Sequence, residues 1–351
     1  MSKEVYYSDY LQLDKILNAQ RPESVATGKP AHDEMLFITV HQVYEIWFKQ
    51  ILHELNSILE ILSKDTIADN SSDLPAMVHR LERCNVIMQL AIDQISLMET
   101  MTPLDFLDFR NLLRPASGFQ SMQFKILEAS LGLRMEDRHG KEYYVEQLRE
   151  EDRQKIIDLE GKPTVREGII KWLERLPFFL QKFYWQYYKP LFPQDKDEQP
   201  FWNDYYYLYQ STLTKGEEKN LELFEELFYT DRAACHLLNK KAMRAALFIM
   251  LYRDYPLLQM PFKLITELMD LDELLSTWRF RHFNMVRRTI GRRVGTGGST
   301  GQYYLKAALE RHYIFGDFAA MTSFLIERSK LPILSPEFRQ MMEFEHDASD
   351  T

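Results

Sequence analysis

Along residues 33–63, "DEMLFITVHQVYEIWFKQILHELNSILEILS", apolar side chains recur at 36, 40, 44, 47, 51, 55, 58 and 62. Steps of three and four put them on one face of a helix. Asp33 and Glu34 stand at its start, where the positive end of the helix dipole favours acids. The same pattern predicts helices over 74–100, 103–113, 117–131, 166–189, 203–229, 234–254, 260–269, 271–290, 302–314 and 317–328. No alternating run bounded by turn residues calls for a strand. The chain therefore reads as all-α, a helical bundle. Residues 135–229 differ in character, charged at first and then rich in aromatics and prolines ("PFFLQKFYWQYYKPLFPQ"). They read as a small helical insert on a core made by 31–134 and 230–335. Residues 1–30 form an N-terminal arm, and the acidic stretch 336–351 is a tail expected to fray.

Composition narrows the function classes. The 351 residues are 45% hydrophobic and 27% charged, as in an ordinary globular protein with ample chain for a core. A formal net charge of -9 argues against a general nucleic-acid binder, which usually carries a basic surface. No apolar run reaches the ~18 residues of a membrane span, and "MSKEVYYSDYLQLDK" lacks the apolar centre of a signal peptide. Cys84 and Cys235 are far apart and form no C-x-x-C motif, which fits a reducing cytoplasm and argues against covalently attached haem.

Five of the thirteen glycines crowd into "GRRVGTGGSTGQYYL", residues 291–305. A phosphate loop of the Walker type would need a lysine after its last glycine, but Gln302 follows Gly301. The preceding "WRFRHFNMVRRTI" is an amphipathic helix and not the strand that such loops or dinucleotide folds require. A plain linker is the bland alternative. Yet the stretch joins two strong helical patterns and carries Thr296, Ser299 and Thr300, so its hydroxyls and backbone N–H groups suit a polar ligand group.

Two histidines lie on apolar stripes. His282 shares a face with Leu274, Trp278, Met285 and Thr289, and His41 shares one with Phe37, Tyr44 and Phe48. A single histidine so placed is most often a core imidazole with a backbone partner. Two on separate helices suggest a dry pocket with imidazoles on facing walls, as when haem iron is held by one proximal histidine. Zinc is the weaker candidate, because neither helix supplies a second ligand one turn away. His32, His53 and His236 read as structural. In "MTPLDFLDFRNLLRPASGFQSMQF", residues 101–124, Thr102 and Pro103 start a helix, and Phe106 and Arg110 share its face. Arg110 reads either as a snorkelling surface residue or as a two-pronged clamp for a carboxylate at the rim of an apolar pocket. Gly118 beyond it lets the backbone pass close to a bulky ligand.

Taken together, "YSDYLQLDKILNAQ", "HDEMLFITVHQVYEIWFKQILHEL", "LDFRNLLRPASGFQSMQF" and "WRFRHFNMVRRTIGRRVGTGGSTGQYYL" resemble the tryptophan 2,3-dioxygenases over most of the chain. The stretch 135–235 is the least diagnostic. The resemblance implies an all-helical, intertwined homotetramer with one non-covalent haem b per subunit, ferrous when active. It further implies insertion of both atoms of dioxygen across the indole C2–C3 bond of L-tryptophan to give N-formyl-L-kynurenine, the first step of the kynurenine pathway. On the matching motifs His282 is the proximal iron ligand, with Trp278, Ser117 and Gly118 also at the haem, and His41 is the distal histidine. Phe37 and Phe106 wall the indole, Arg110 meets the carboxylate and Thr296 the ammonium and carboxylate. Tyr7 and Tyr10 reach a neighbouring subunit's pocket. No nucleic acid or membrane partner is implied, and a cytoplasmic location is. The rivals are a haem enzyme acting on a substituted tryptophan and a haem sensor without turnover.

Overall fold

The computed structural model describes residues 4–65, 67, 72–138, 148–179, 181–230, 238–291, 293 and 312–343. These are helical with turns and loops, and no strand occurs among them. The three long helices are α4 (Glu34–Leu62), α5 (Asp73–Met98) and α13 (Pro256–Ile290). Before them come α1 (Tyr7–Leu11), α2 (Leu13–Leu17) and α3 (Glu23–Ala26). Between α5 and α13 lie α6 (Pro103–Arg110), α7 (Met122–Leu131), α8 (Glu150–Glu160), α9 (Val165–Glu174), α10 (Pro200–Thr212), α11 (Glu218–Tyr229) and α12 (Lys240–Leu251). Two short helices follow, α14 (Gly316–Ala320) and α15 (Pro336–Met342).

The apolar stripe of α4 is the one its sequence spacing predicts. Val40, Tyr44, Ile51, Leu55, Ile58 and Leu62 are buried, while Leu36 and Trp47 pack at the edge of the core. α5 lies between α4 and α13 and buries Leu74, Met77, Leu81, Met88, Ala91 and Ile95. Removing such aliphatic side chains from water stabilises the bundle by about 1.5–3 kcal/mol each. The aromatic part of the chain joins the same core: Trp172, Phe178, Phe201, Trp202, Phe224 and Phe228 pack in one cluster with residues of α4, α5 and α13. A small second cluster forms around Ile156 of α8.

Several boundaries differ from the sequence pattern, each for a local reason. Residues 256–290 form one helix, not two, because Leu264, Leu268, Leu271 and Leu275 continue one buried stripe past the charged Asp270. The segment 203–229 divides into α10 and α11, with Gly216 at φ +106° turning the chain between them. α9 stops at Glu174, before Pro177, and 3-10 turns at Pro177–Phe179 and Lys182–Trp185 replace the longer helix expected to 189. The stretch 317–328 holds only α14 and a 3-10 turn, Met321–Phe324. The tail expected to fray from 336 instead begins with α15, capped by Ser335 and anchored by buried Phe338 and Met342. Residues 302–311 of the expected helix 302–314 lie outside the described residues, and 312–314 are not helical.

Candidate active site

The site is built where α4, α6, α7 and α13 meet. Thr102 caps α6 in a reciprocal capping box with Asp105, and Pro103 occupies the first turn. That start sets the register which puts Phe106, Phe109 and Arg110 on the buried face. Phe37 of α4 stacks on Phe106 with ring centres 5.7 Å apart and meets Phe109 edge-on at 5.6 Å. His41, one turn along α4, lies with its ring 4.2 Å from that of Phe37. Its Nδ1 is 2.7 Å from the Phe37 carbonyl oxygen, an acceptor, so Nδ1 carries the proton and donates it there. Burial lowers the His41 pKa, against the opposing effect of that hydrogen bond. The ring is thus neutral at physiological pH, and its Nε2 is left as an acceptor.

His282 stands on the other wall. Its ring lies parallel to that of Trp278, 2° apart in plane and 5.1 Å between centres, as residues four apart on α13 can. Trp278 is packed in turn by Phe124, Phe48 and Tyr44, at 4.7, 5.9 and 6.2 Å. Tyr44 also meets the His41 ring edge-on at 6.4 Å and so links the two walls. Its hydroxyl donates to the Ala91 carbonyl, which fixes it against α5. Burial, with the neighbouring His41, pushes the His282 pKa down to about 4. His282 Nδ1 is sealed from solvent and has no hydrogen-bond partner among the described residues. A neutral imidazole with that capacity unspent is the form that ligates a metal.

These observations fit a haem. Among the described residues no three His, Cys, Asp or Glu side chains gather to hold an ion by themselves. Gly118 presents a bare backbone surface, since a methyl group there would touch nothing within 4 Å among the described residues. Ser117 caps the 3-10 turn Gly118–Gln120 and shapes that surface.

Not every predicted site residue comes together here. Phe37, His41 and Phe106 do, as do Trp278 and His282, while Arg110 is buried on the same face of α6 as Phe106. Tyr7 and Tyr10 stand exposed on α1. Thr296 lies outside the described residues. His53 is on the exposed side of α4, and His32 is exposed just before it.

Three groups escaped sequence reasoning. Phe109 backs both Phe37 and Phe106 and is fully buried, and its spacing from Phe106 was the available signal. Phe124 packs on Trp278. The α7 carboxylate of Glu128 accepts from Nη2 of Arg279, three residues before His282 on α13, at 2.7 Å and from Arg138 Nη1 at 2.6 Å. Arg279 also donates to the His312 carbonyl, and Asp272 accepts from the backbone N–H groups of Ile314 and Phe315. The α13 helix bearing His282 is thereby tied to α7 and to the chain returning at 312–315.

Comparison with known proteins decides what this pocket belongs to. The family model described as Tryptophan 2,3-dioxygenase matches residues 1–325. The chain belongs to that family. It is 43% identical to a tryptophan 2,3-dioxygenase of Bdellovibrio bacteriovorus, over 97% of this chain and 99% of that protein. It is 42% identical to one of Dictyostelium discoideum, over 97% and 89%. With tryptophan 2,3-dioxygenase B of Danio rerio the identity is 39%, over 96% and 86%. Membership of the tryptophan 2,3-dioxygenases gives the all-helical bundle and its two-histidine pocket a common setting. Among the described residues no helix is long and apolar enough to cross a membrane.

Proposed function

We propose that the chain is a haem-dependent dioxygenase that converts L-tryptophan and dioxygen to N-formyl-L-kynurenine, the first step of the kynurenine pathway. The observation that carries this reading is the pair of neutral imidazoles, His41 and His282, on opposite walls of one aromatic pocket in a chain of this family. One haem b per subunit is held without covalent attachment. His282 would hold its iron, Trp278 would fix the plane of that imidazole, and Ser117 with Gly118 would form part of the surface against the haem.

Ferrous haem, when bound, supplies the activation of dioxygen. The chain's own residues do the rest. Phe37 and Phe106, backed by Phe109, wall the indole, whose burial is worth about 2–3 kcal/mol. That holds the ring without choosing among similar ones. His41, with Nδ1 committed to the Phe37 carbonyl, offers Nε2 to the indole N–H and so orients the ring in the pocket. Arg110 clamps the carboxylate, and Thr296, matched by motif, meets the ammonium and carboxylate. These polar contacts select an amino acid over a bare indole. The pocket walls keep water from the reacting carbons, so positioning supplies much of the rate.

The active form is a homotetramer in the cytoplasm. The exposed rings of Tyr7 and Tyr10 in the N-terminal arm complete a neighbouring subunit's pocket. The test is anaerobic reduction of the haem-loaded protein, followed by L-tryptophan and air, with absorbance followed at the formylkynurenine band. Product formation supports the reading. A haem spectrum with no product overturns it.

A further inference from the structure

Basic side chains gather at the end of the pocket where Arg110 lies. Arg110 is buried in the last turn of α6. The chain leaves α6 through the 3-10 turn Asn111–Leu113 and reaches the exposed Arg114 directly after it. Arg293 comes from the other side. α13 packs against α6 and ends at Gly291, whose φ of +58° and ψ of -128° suit only glycine. The Arg293 N–H then donates to the Ile290 carbonyl at 3.1 Å, holding that exposed arginine at the helix end. Neither Arg114 nor Arg293 forms an ion pair with a described residue.

Three guanidiniums, always charged, therefore share one region, and among the described residues neither outer one has a counter-ion. Burial lowers the Arg110 pKa first, and repulsion from Arg114 and Arg293 adds to it. Like charges grouped this way cost energy unless an anion joins them. Arg110 alone suffices for one carboxylate, so the outer pair needs its own account.

We propose that Arg114 and Arg293 complete, with Arg110, a carboxylate-binding rim at the mouth of the pocket. The inference rests on the function proposed above and adds two residues to it. The carboxylate is either that of the amino acid or a propionate of the haem, and both are recognised by the same guanidinium chemistry. Both arginines lie past the ends of their helices, Arg114 after α6 and Arg293 after α13, so the pair acts on binding more than on the chemical step.

The test uses the haem-loaded full chain with R114Q, R293Q and the double substitution. Three quantities are measured at low and high salt: the L-tryptophan dissociation constant from the haem spectrum, kcat and KM, and the rate of haem loss to apomyoglobin. If the amino acid is the source, the double variant raises Kd and KM by about 3- to 10-fold, with kcat changing less, and salt shrinks the effect. Indole-3-propionate, which keeps the carboxylate, then loses affinity in parallel, and tryptamine, which lacks it, does not. If a propionate is the source, haem loss accelerates by a similar factor while Kd holds. Either result supports the rim. It is overturned if Kd and haem loss both match the unaltered chain at low salt. It is also overturned if only the oligomeric mass changes, because the arginines would then pair with another copy. The unaltered chain run alongside reports on the reaction itself: no product from it defeats the function, whereas the rim is judged on binding and haem loss.

Discussion

Trp278 and His282 stand one helical turn apart on α13 with their rings 2° from parallel and 5.1 Å between centres. The stack holds the plane of the imidazole proposed to bind iron, because Phe124, Phe48 and Tyr44 pack against Trp278 in turn. Trp278→Leu keeps an apolar residue at the site and removes the stack. An aromatic pair of this kind is worth about 0.5–1.5 kcal/mol beyond its area, so haem loss should accelerate about 2- to 10-fold. Stopped-flow transfer of haem to apomyoglobin measures it. An unchanged rate would mean that the imidazole plane is set by something else.

His41 is proposed to orient the substrate and not to hold haem. His41→Phe fills the same space and removes the Nε2 acceptor. The loss of one buried hydrogen bond, about 1–3 kcal/mol, should lower kcat/KM about 5- to 150-fold while the haem content stays that of the unaltered chain. 1-Methyltryptophan, which has no indole N–H to donate, should show almost no difference between the two proteins. Equal loss on both substrates would remove the N–H contact from the account.

Much of this architecture is legible in the chain itself, and its limits are physical. α4 could be read because its apolar steps of three and four persist for eight turns and one wall of the pocket falls on that stripe. His282 and Trp278 could be read for the same reason. α13 divided on paper because Asp270 and Asp272 interrupt the apolar density, yet Asp272 is buried and satisfied by the Ile314 and Phe315 N–H groups, a partnership 42 and 43 residues distant. Glu128 looks like one charge in an apolar run. Its significance comes from Arg138 and Arg279, 10 and 151 residues away, and no local pattern specifies which distant cations a buried carboxylate will meet. The break at Gly216 was visible as a glycine, but the helical pattern on either side outweighed it.

Arg110 carries the proposed carboxylate contact from a buried position, which makes its replacement costly for binding. A charged hydrogen-bonded contact contributes about 1.5–3 kcal/mol, so Arg110→Gln should raise KM for L-tryptophan about 10- to 150-fold. Arg110→Lys should recover only part of this, because an ammonium cannot make two parallel hydrogen bonds to one carboxylate. Steady-state kinetics of the three proteins decide it. Full recovery by lysine would show that charge alone matters at this site.

Glu128 ties the helix bearing His282 to α7, and its ionisation should be visible in stability. Burial alone would raise its pKa, but Arg138, Arg279 and His312 outweigh burial and bring it down to about 2. A carboxyl depressed in the folded state stabilises fully above its unfolded pKa, near 4.5, and the contribution disappears as pH falls toward about 2. Glu128→Gln leaves two arginines facing a neutral amide and should cost about 3–5 kcal/mol at pH 7. The gap between the two proteins should close by about 3 kcal/mol on going from pH 7 to pH 2, since the unaltered chain loses there what the variant never had. Other carboxylates titrate in both proteins and cancel in the difference. Urea unfolding of the haem-free proteins across that range measures the gap. A gap that stays constant with pH would mean Glu128 is not held as a carboxylate, and the anchoring of α13 would then rest on Asp272 and the backbone.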